Sequence, residues 1–328
     1  MKYPKFLTHN NKIGVVALSA GVGGDYIDGY KKSLVNIEKK GFMIIETASV
    51  RNSGDVSNTA EIRAKELDKL ITDQEVNLIM CASGGDFLIE ILPYVNYKNI
   101  QDNPKWLMGA SDPTSILYLV TTALDIATIY GFNAHSFDQT ILHECQENAF
   151  EIMQGNLLEQ KSFDLYEVEK SDTAQTYNVT EKVYWESING DVDVTGRIIG
   201  GCIECLRGLP GTSFDYTKKF IEKYKQDGII WYFDIFSLTS EEFYLCLIQL
   251  KESGWFNYVK GVIVGRVKFP GGFTQMTYQE ALKKIFGDIP LIFNADIGHV
   301  APKMTIINGS IATITCKNGK GKIKLRME

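Results

Sequence analysis

The segment WLMGASDPTSIL, residues 106–117, joins an apolar run to a helix-like pattern through Gly109, Ala110, Ser111, Asp112 and Pro113. With Asp112 as N-cap and Pro113 as the first helical residue, Ser111 stands just outside the helix, at the end of a strand. A serine held there is placed to act as a nucleophile. The first amides of the helix and the positive end of its dipole favour an anion, and a tetrahedral intermediate is one. The corner has the mechanics of a nucleophile elbow without the G-x-S-x-G sequence. Ser, Asp and Pro are also ordinary helix-start residues, so the corner by itself leaves both readings open. A second apolar run, VNLIMCA, ends in SGGDF. Gly84 and Gly85 let the backbone approach a ligand closely. The Gly85 amide, beside that of Asp112, could supply an oxyanion hole, although a plain strand-to-helix turn uses the same residues.

A serine hydroxyl needs a base. The chain has four histidines. His9 lies in a polar stretch before the first strand, and His135 and His143 flank a helix start, where capping or surface roles suffice. His299, in LIFNADIGHVAPK, follows a strand and a glycine and precedes a proline, a loop position with room to face a cleft. The base in turn needs a carboxylate to fix its tautomer. Asp234 ends the apolar strand IIWYFDI, where a charge is costly to bury without a partner.

The elements that must hold these residues follow from periodicity. In the first half, short apolar runs (GVVALSA, FMIIETA, VNLIMCA, WLMGAS, ATIYG) alternate with amphipathic stretches, among them residues 26–40, 59–72 and 136–153. This pattern predicts an open parallel α/β sheet with helices on both faces, and ligands bind beyond the carboxyl ends of such strands. From about residue 155 the texture changes. The expected organisation is an N-terminal α/β domain over 1–155, a linker over 156–175, and a β-rich α/β domain over 176–328. In the latter, helices are expected near residues 214–226, 240–253 and 278–286, and the tail reads as strands joined by NGS and NGKG turns.

Composition bounds the function classes. The chain has 328 residues, 45% hydrophobic and 23% charged, with a net charge of −6. That supports a sizeable core and argues against nucleic-acid or anionic-membrane partners, since no basic tract is present. The N-terminal apolar run reads as a first strand, not a signal peptide, and no run approaches the roughly 18 residues of a spanning helix. Six cysteines sit mostly in apolar runs, as reduced thiols of a cytoplasmic protein do. Cys202 and Cys205 form a lone C-x-x-C with no second ligand pair for zinc.

GASDPTSIL, SGGDFLIEILPYVNY, GRIIGGCIECLRGLPGT, the strand around Asp234 and GHVAPKMTIINGSIATI occur in the order and spacing of the LD-carboxypeptidase family of serine peptidases. The family includes cytoplasmic murein-tetrapeptide carboxypeptidases and the microcin C immunity peptidases. The resemblance runs from about Lys12 to Leu325. It implies Ser111 as nucleophile, His299 as general base, and the Gly85 and Asp112 amides as the oxyanion hole, with Gly84 beside the substrate. It also implies a homodimer, no metal or organic cofactor, and a peptide or peptidyl-nucleotide substrate taken into a cleft served by both domains. The family's acid is usually a glutamate. Here the matching position is Asp234, shorter by one methylene, or about 1.5 Å. That change motivates an alternative, a weakened relative that binds a small molecule or peptide without turnover. The immunity peptidases also carry an aromatic platform for a nucleotide-like substrate near Trp185, which is otherwise a packing residue. Arg207, Arg266 and Lys303 are the candidate cations for a substrate carboxylate.

Overall fold

The computed structural model describes residues 1–171 and 173–328. The chain divides into two compact units: 1–156 with 173–176 and 305–308, and 157–172 with 177–304 and 309–328.

The first unit is built on a six-stranded sheet in the order Ile306–Asn308, Thr128–Tyr130, Trp106–Gly109, Val76–Cys81, Lys12–Val16, Met43–Glu46. The five strands from the N-terminal half are parallel, and Ile306–Asn308 adds antiparallel at one edge. The central strands are buried along nearly their whole length. This is why they read as continuous apolar runs rather than alternating ones. Helices Ile27–Lys39, Ala60–Thr72, Thr114–Leu124 and Glu144–Met153 connect or flank them. The expected helix over 136–153 is shorter than its periodicity suggested. A single turn at Ala134–Phe137 precedes a break, and the helix proper starts at Glu144. His143 is its N-cap: the ring Nδ1 accepts from the Cys145 amide, and Gln146 closes a capping box.

The second unit carries an eight-stranded mixed sheet. Its centre is the parallel set Val192–Cys202, Ile229–Asp234, Val259–Gly265 and Leu291–Ala295. Helices Ser240–Glu252 and Tyr278–Phe286 follow two of these strands, each opened by a Thr–Glu capping box. The segment expected as a linker contributes strand Gln160–Lys161 to this sheet and pairs Leu165–Glu167 with Val179–Lys182.

Both expected turns of the tail join strands, but of different kinds. Asn308-Gly309-Ser310 does not close a hairpin, because Ile306–Asn308 belongs to the first sheet and Ile311–Lys317 to the second. Asn318-Gly319 does close one, between Ile311–Lys317 and Lys320–Arg326. Both turn residues have positive φ, 50° and 76°, the backbone of a two-residue hairpin whose twist matches its strands.

Candidate active site

In the first unit, strand Trp106–Gly109 delivers Ser111 at φ 68°, in the left-handed region. A non-glycine residue there costs roughly 1–3 kcal/mol, a cost typically found at functional sites. Several contacts hold it. Asn133 brackets the preceding residue, accepting from the Ala110 amide at 2.9 Å and donating to its carbonyl at 3.1 Å. The Ser111 amide donates to the Tyr130 hydroxyl at 3.2 Å, and its carbonyl accepts from the Thr114 amide at 2.8 Å. Gly109 leaves the turn room, since a Cβ there would stand 2.7 Å from Pro113 Cβ.

Asp112 is not the N-cap. The helix is Thr114–Leu124, and Pro113 occupies the capping position with no side-chain cap bond. The Asp112 carboxylate turns inward and is buried, accepting from the Ser19 hydroxyl and from the Leu88 amide at 2.8 Å. A buried carboxylate with hydrogen-bond donors is a structural anchor. It ties the serine corner to the segment that follows Gly84 and Gly85. Gly84 lies against the nucleophile candidate: a Cβ there would come within 3.0 Å of Ser111 Cβ and 3.1 Å of its Oγ. Gly85 has φ 144°, and a side chain would strike the Ser19 hydroxyl at 2.3 Å. Ser111, Gly84, Gly85 and Asp112 thus converge within the first unit.

In the second unit, Asp234 ends strand Ile229–Asp234 with no exposed surface. Its two carboxylate oxygens lie 2.9 and 2.8 Å from His299 Nδ1. The shorter acid therefore reaches the ring. Against an ionised carboxylate Nδ1 must carry the proton, which leaves Nε2 as the basic nitrogen. The His299 side chain is 17% exposed while the carboxylate is sealed. Sequence reasoning missed what makes this approach possible. Gly298 has φ 101°, and a Cβ there would stand 2.0 Å from Asp234 Oδ1. It also missed Phe236, whose ring packs on the imidazole with centroids 4.8 Å apart.

The other candidates fall differently. Trp185 is fully buried. Its Nε1–H donates to Asp296 Oδ2 at 2.9 Å, and Gly321 has no side chain because one would overlap the indole. A sealed indole offers no face to a ligand, so the platform reading is corrected to core packing. Its neighbour Tyr184 is 60% exposed. Tyr184 lines a cavity of about 730 Å³ together with Tyr166, Arg266, Tyr278, Asn294 and Val300. Arg266 is buried, paired with Asp296 and the Asn294 carbonyl, and stacked over Tyr166 at 4.6 Å. Burial lowers its pKa to about 10. Arg207 is exposed, and Lys303 is half-buried four residues beyond His299. The six cysteines are unbridged, and a hydrogen bond with Cys205, together with burial, pushes the Cys202 thiol well up. Among the described residues no cluster of three or more His, Cys, Asp or Glu could hold a metal ion. Among them also, no helix is long and apolar enough to cross a membrane.

One unit thus carries a strained serine at the carboxyl end of a parallel sheet, and the other a histidine seated on a buried acid. The LD-carboxypeptidase N-terminal domain model matches residues 13–131, and the LD-carboxypeptidase C-terminal domain model matches residues 195–314. The chain belongs to the LD-carboxypeptidase family. A Vibrio cholerae relative named "Putative carboxypeptidase" is 26% identical, with 99% of this chain and 98% of that one covered. Among solved structures, an MccF-like protein from Bacillus anthracis superposes with a TM-score of 0.86 at 23% identity over all of both chains. The microcin C7 self-immunity protein MccF, in complex with aspartyl sulfamoyl adenosine, superposes at 0.82 with 20% identity over 99% of each chain. At these identities the superpositions establish the fold.

Proposed function

We propose that the protein is a cytoplasmic serine carboxypeptidase or amidase that cleaves a terminal amide through an acyl-enzyme. The observation that carries this reading is the Asp234–His299 pair, a sealed carboxylate fixing the tautomer of a partly exposed ring. Ser111 Oγ attacks the carbonyl carbon as His299 Nε2 takes its proton. The oxyanion is held by the Gly85 and Asp112 amides. Collapse breaks the C–N bond, and the departing amine leaves with the proton from Nε2. Water, deprotonated by the same nitrogen, then releases the acid and restores the Ser111 hydroxyl. Neither proton nor electron pair needs a cofactor in this sequence.

For the substrate we favour a peptidyl-nucleotide over a murein LD-peptide. The cavity of about 730 Å³ is of ligand size. It is lined by tyrosines, and Val300 on its wall adjoins His299. The exposed Tyr184 takes the platform role first expected of Trp185. MccF, of the same fold, has been solved in complex with a ligand of this class, aspartyl sulfamoyl adenosine. The non-catalytic alternative loses its motive, because Asp234 reaches His299.

The test is a panel of aspartyl and glutamyl sulfamoyl adenosines and a murein tetrapeptide, read by mass spectrometry. Wild type is expected to hydrolyse at least one, and Ser111→Ala and His299→Ala to hydrolyse none. A fluorophosphonate should label wild type but neither variant. Near-normal turnover by Ser111→Ala would refute the mechanism.

A further inference from the structure

Glu204 lies outside the acid–base pair, yet its carboxylate organises what covers the histidine. Strands Val192–Cys202 and Ile229–Asp234 run parallel with Cys202 level with Asp234. Two residues beyond that level the first strand has turned into the short helix Ile203–Leu206, carrying Glu204. Two residues beyond it on the second lies Phe236. Glu204 Oε1 accepts three consecutive amides, from Phe236 and Ser237 at 2.9 Å and from Leu238 at 3.2 Å. Its Oε2 accepts from the Cys202 thiol at 3.1 Å. Three successive N–H groups on one carboxylate oxygen fix a loop firmly, because charge-assisted bonds are about twice as strong as neutral ones.

The loop so held is half of a second device. The Phe236 carbonyl accepts from the Phe269 amide at 2.9 Å, and the Ile235 carbonyl from the Lys268 amide at 3.1 Å. Phe236 and Phe269 meet edge to face at 5.1 Å. The Phe236 ring rests on the His299 imidazole, tilted by 52°. His299 is therefore gripped twice, by Asp234 on Nδ1 and by the Phe236 ring packed against the imidazole. Asp234 fixes the tautomer and leaves the ring a rotation about the hydrogen-bonded edge. A second ring packed against it restricts that freedom.

We infer that Glu204 is a positioning residue: its carboxylate sets the 236–238 loop so that Phe236 holds the His299 ring in its working orientation. The inference rests on the reading of His299 as general base. Phe236→Leu and Glu204→Ala should each lower kcat roughly ten- to hundredfold, the scale of a misplacement of about 1 Å. KM should stay within about twofold, since no substrate contact is removed. Glu204→Gln keeps an acceptor oxygen and should recover part of the loss.

The deciding readout needs no substrate. With four histidines in the chain, His299 can be assigned in proton NMR by comparison with His299→Gln. Its ring protons should be displaced from their positions in an isolated imidazole by the Phe236 ring current. That displacement should vanish in Phe236→Leu and in Glu204→Ala, and return in part in Glu204→Gln. Wild-type His299 resonances in Glu204→Ala would overturn the inference whatever the rate does. So would lost displacement with unchanged kcat. If Glu204→Ala does not fold, Glu204→Gln is judged alone, and resonances and kcat both at wild-type values would overturn the inference. Failure of the hydrolase reading shows separately, as normal turnover in Ser111→Ala.

Discussion

Replacing Gly298 by alanine adds one methyl group, and the structure says where it goes. The new Cβ would stand 2.0 Å from Asp234 Oδ1 and 2.4 Å from its Cγ. An ordinary contact is about 3.4 Å or more, so the carboxylate or the loop must move by roughly 1.4 Å. Neither has slack. Asp234 ends a strand paired on both sides, and it is sealed from solvent. The backbone at position 298 also has φ 101°, which costs a residue with a Cβ roughly 1–3 kcal/mol. A shift of that size away from the ring takes both carboxylate oxygens, 2.9 and 2.8 Å from Nδ1, beyond hydrogen-bonding range. The histidine then loses its tautomer control, as it would in Asp234→Asn. Loss of that control costs a serine protease about 10⁴-fold in kcat, the handicap of a wrong tautomer. Gly298→Ala is therefore expected to lose roughly 10²–10⁴-fold in kcat/KM and to lower the melting temperature modestly. The assay is hydrolysis of the best substrate of the panel, with Gly298→Ala, Asp234→Asn and the double variant side by side. Because both changes cut one bond, the double variant should be little worse than Asp234→Asn. Wild-type kcat/KM in Gly298→Ala, or additive losses in the double variant, would refute the reasoning.

Tyr184→Ala should weaken nucleotide-like substrates by roughly 1–3 kcal/mol, the usual range for base stacking, with little effect on a murein peptide, as read from kcat/KM for each class. Trp185→Phe removes the donor to Asp296 and should cost about 1–3 kcal/mol in denaturant unfolding, with no change in substrate preference. His143 caps a helix as a neutral acceptor, and burial lowers its pKa from 6.5. The cap's contribution, about 0.5–2 kcal/mol, should be complete above pH 6.5 and lost as the pH falls through the lowered value. Urea midpoints at pH 7 and pH 5 should differ less in His143→Ser, whose cap does not titrate.

The parallel sheet was legible because burial on both faces writes itself as unbroken apolar runs. Ser111, Asp234 and His299 stood out as polar residues at the ends of such runs, where a charge or hydroxyl needs a reason. Gly298 did not stand out. Its need for glycine comes from a carboxylate 64 residues away in sequence, which no local pattern records. Trp185 and Tyr184 show the same limit at one-residue resolution. Neighbouring side chains in an extended segment face opposite ways, and the choice of the inward one is made by Asp296 and Gly321, both distant in sequence. Asn308-Gly309-Ser310 has the composition of a hairpin turn, but the strands it joins find partners in different sheets. Composition specifies the bend, not the destination.

Strand Ile306–Asn308 bears on how such a gene can be cut and joined. The chain returns to the first sheet for three residues after almost all of the second unit has been made. The matched C-terminal domain model, residues 195–314, runs straight through them. A fragment ending near residue 156 would leave the backbone groups of Thr128–Tyr130 without that partner, an open edge prone to pairing with other chains. Recombination that treats the two family domains as separable cassettes would therefore hand each chimaera a closing strand encoded by the other parent. Three residues, Ile306, Ile307 and Asn308, would have to match a sheet they did not evolve beside. During synthesis on the ribosome the first sheet must likewise wait, its edge unsealed, until residues 306–308 have been made.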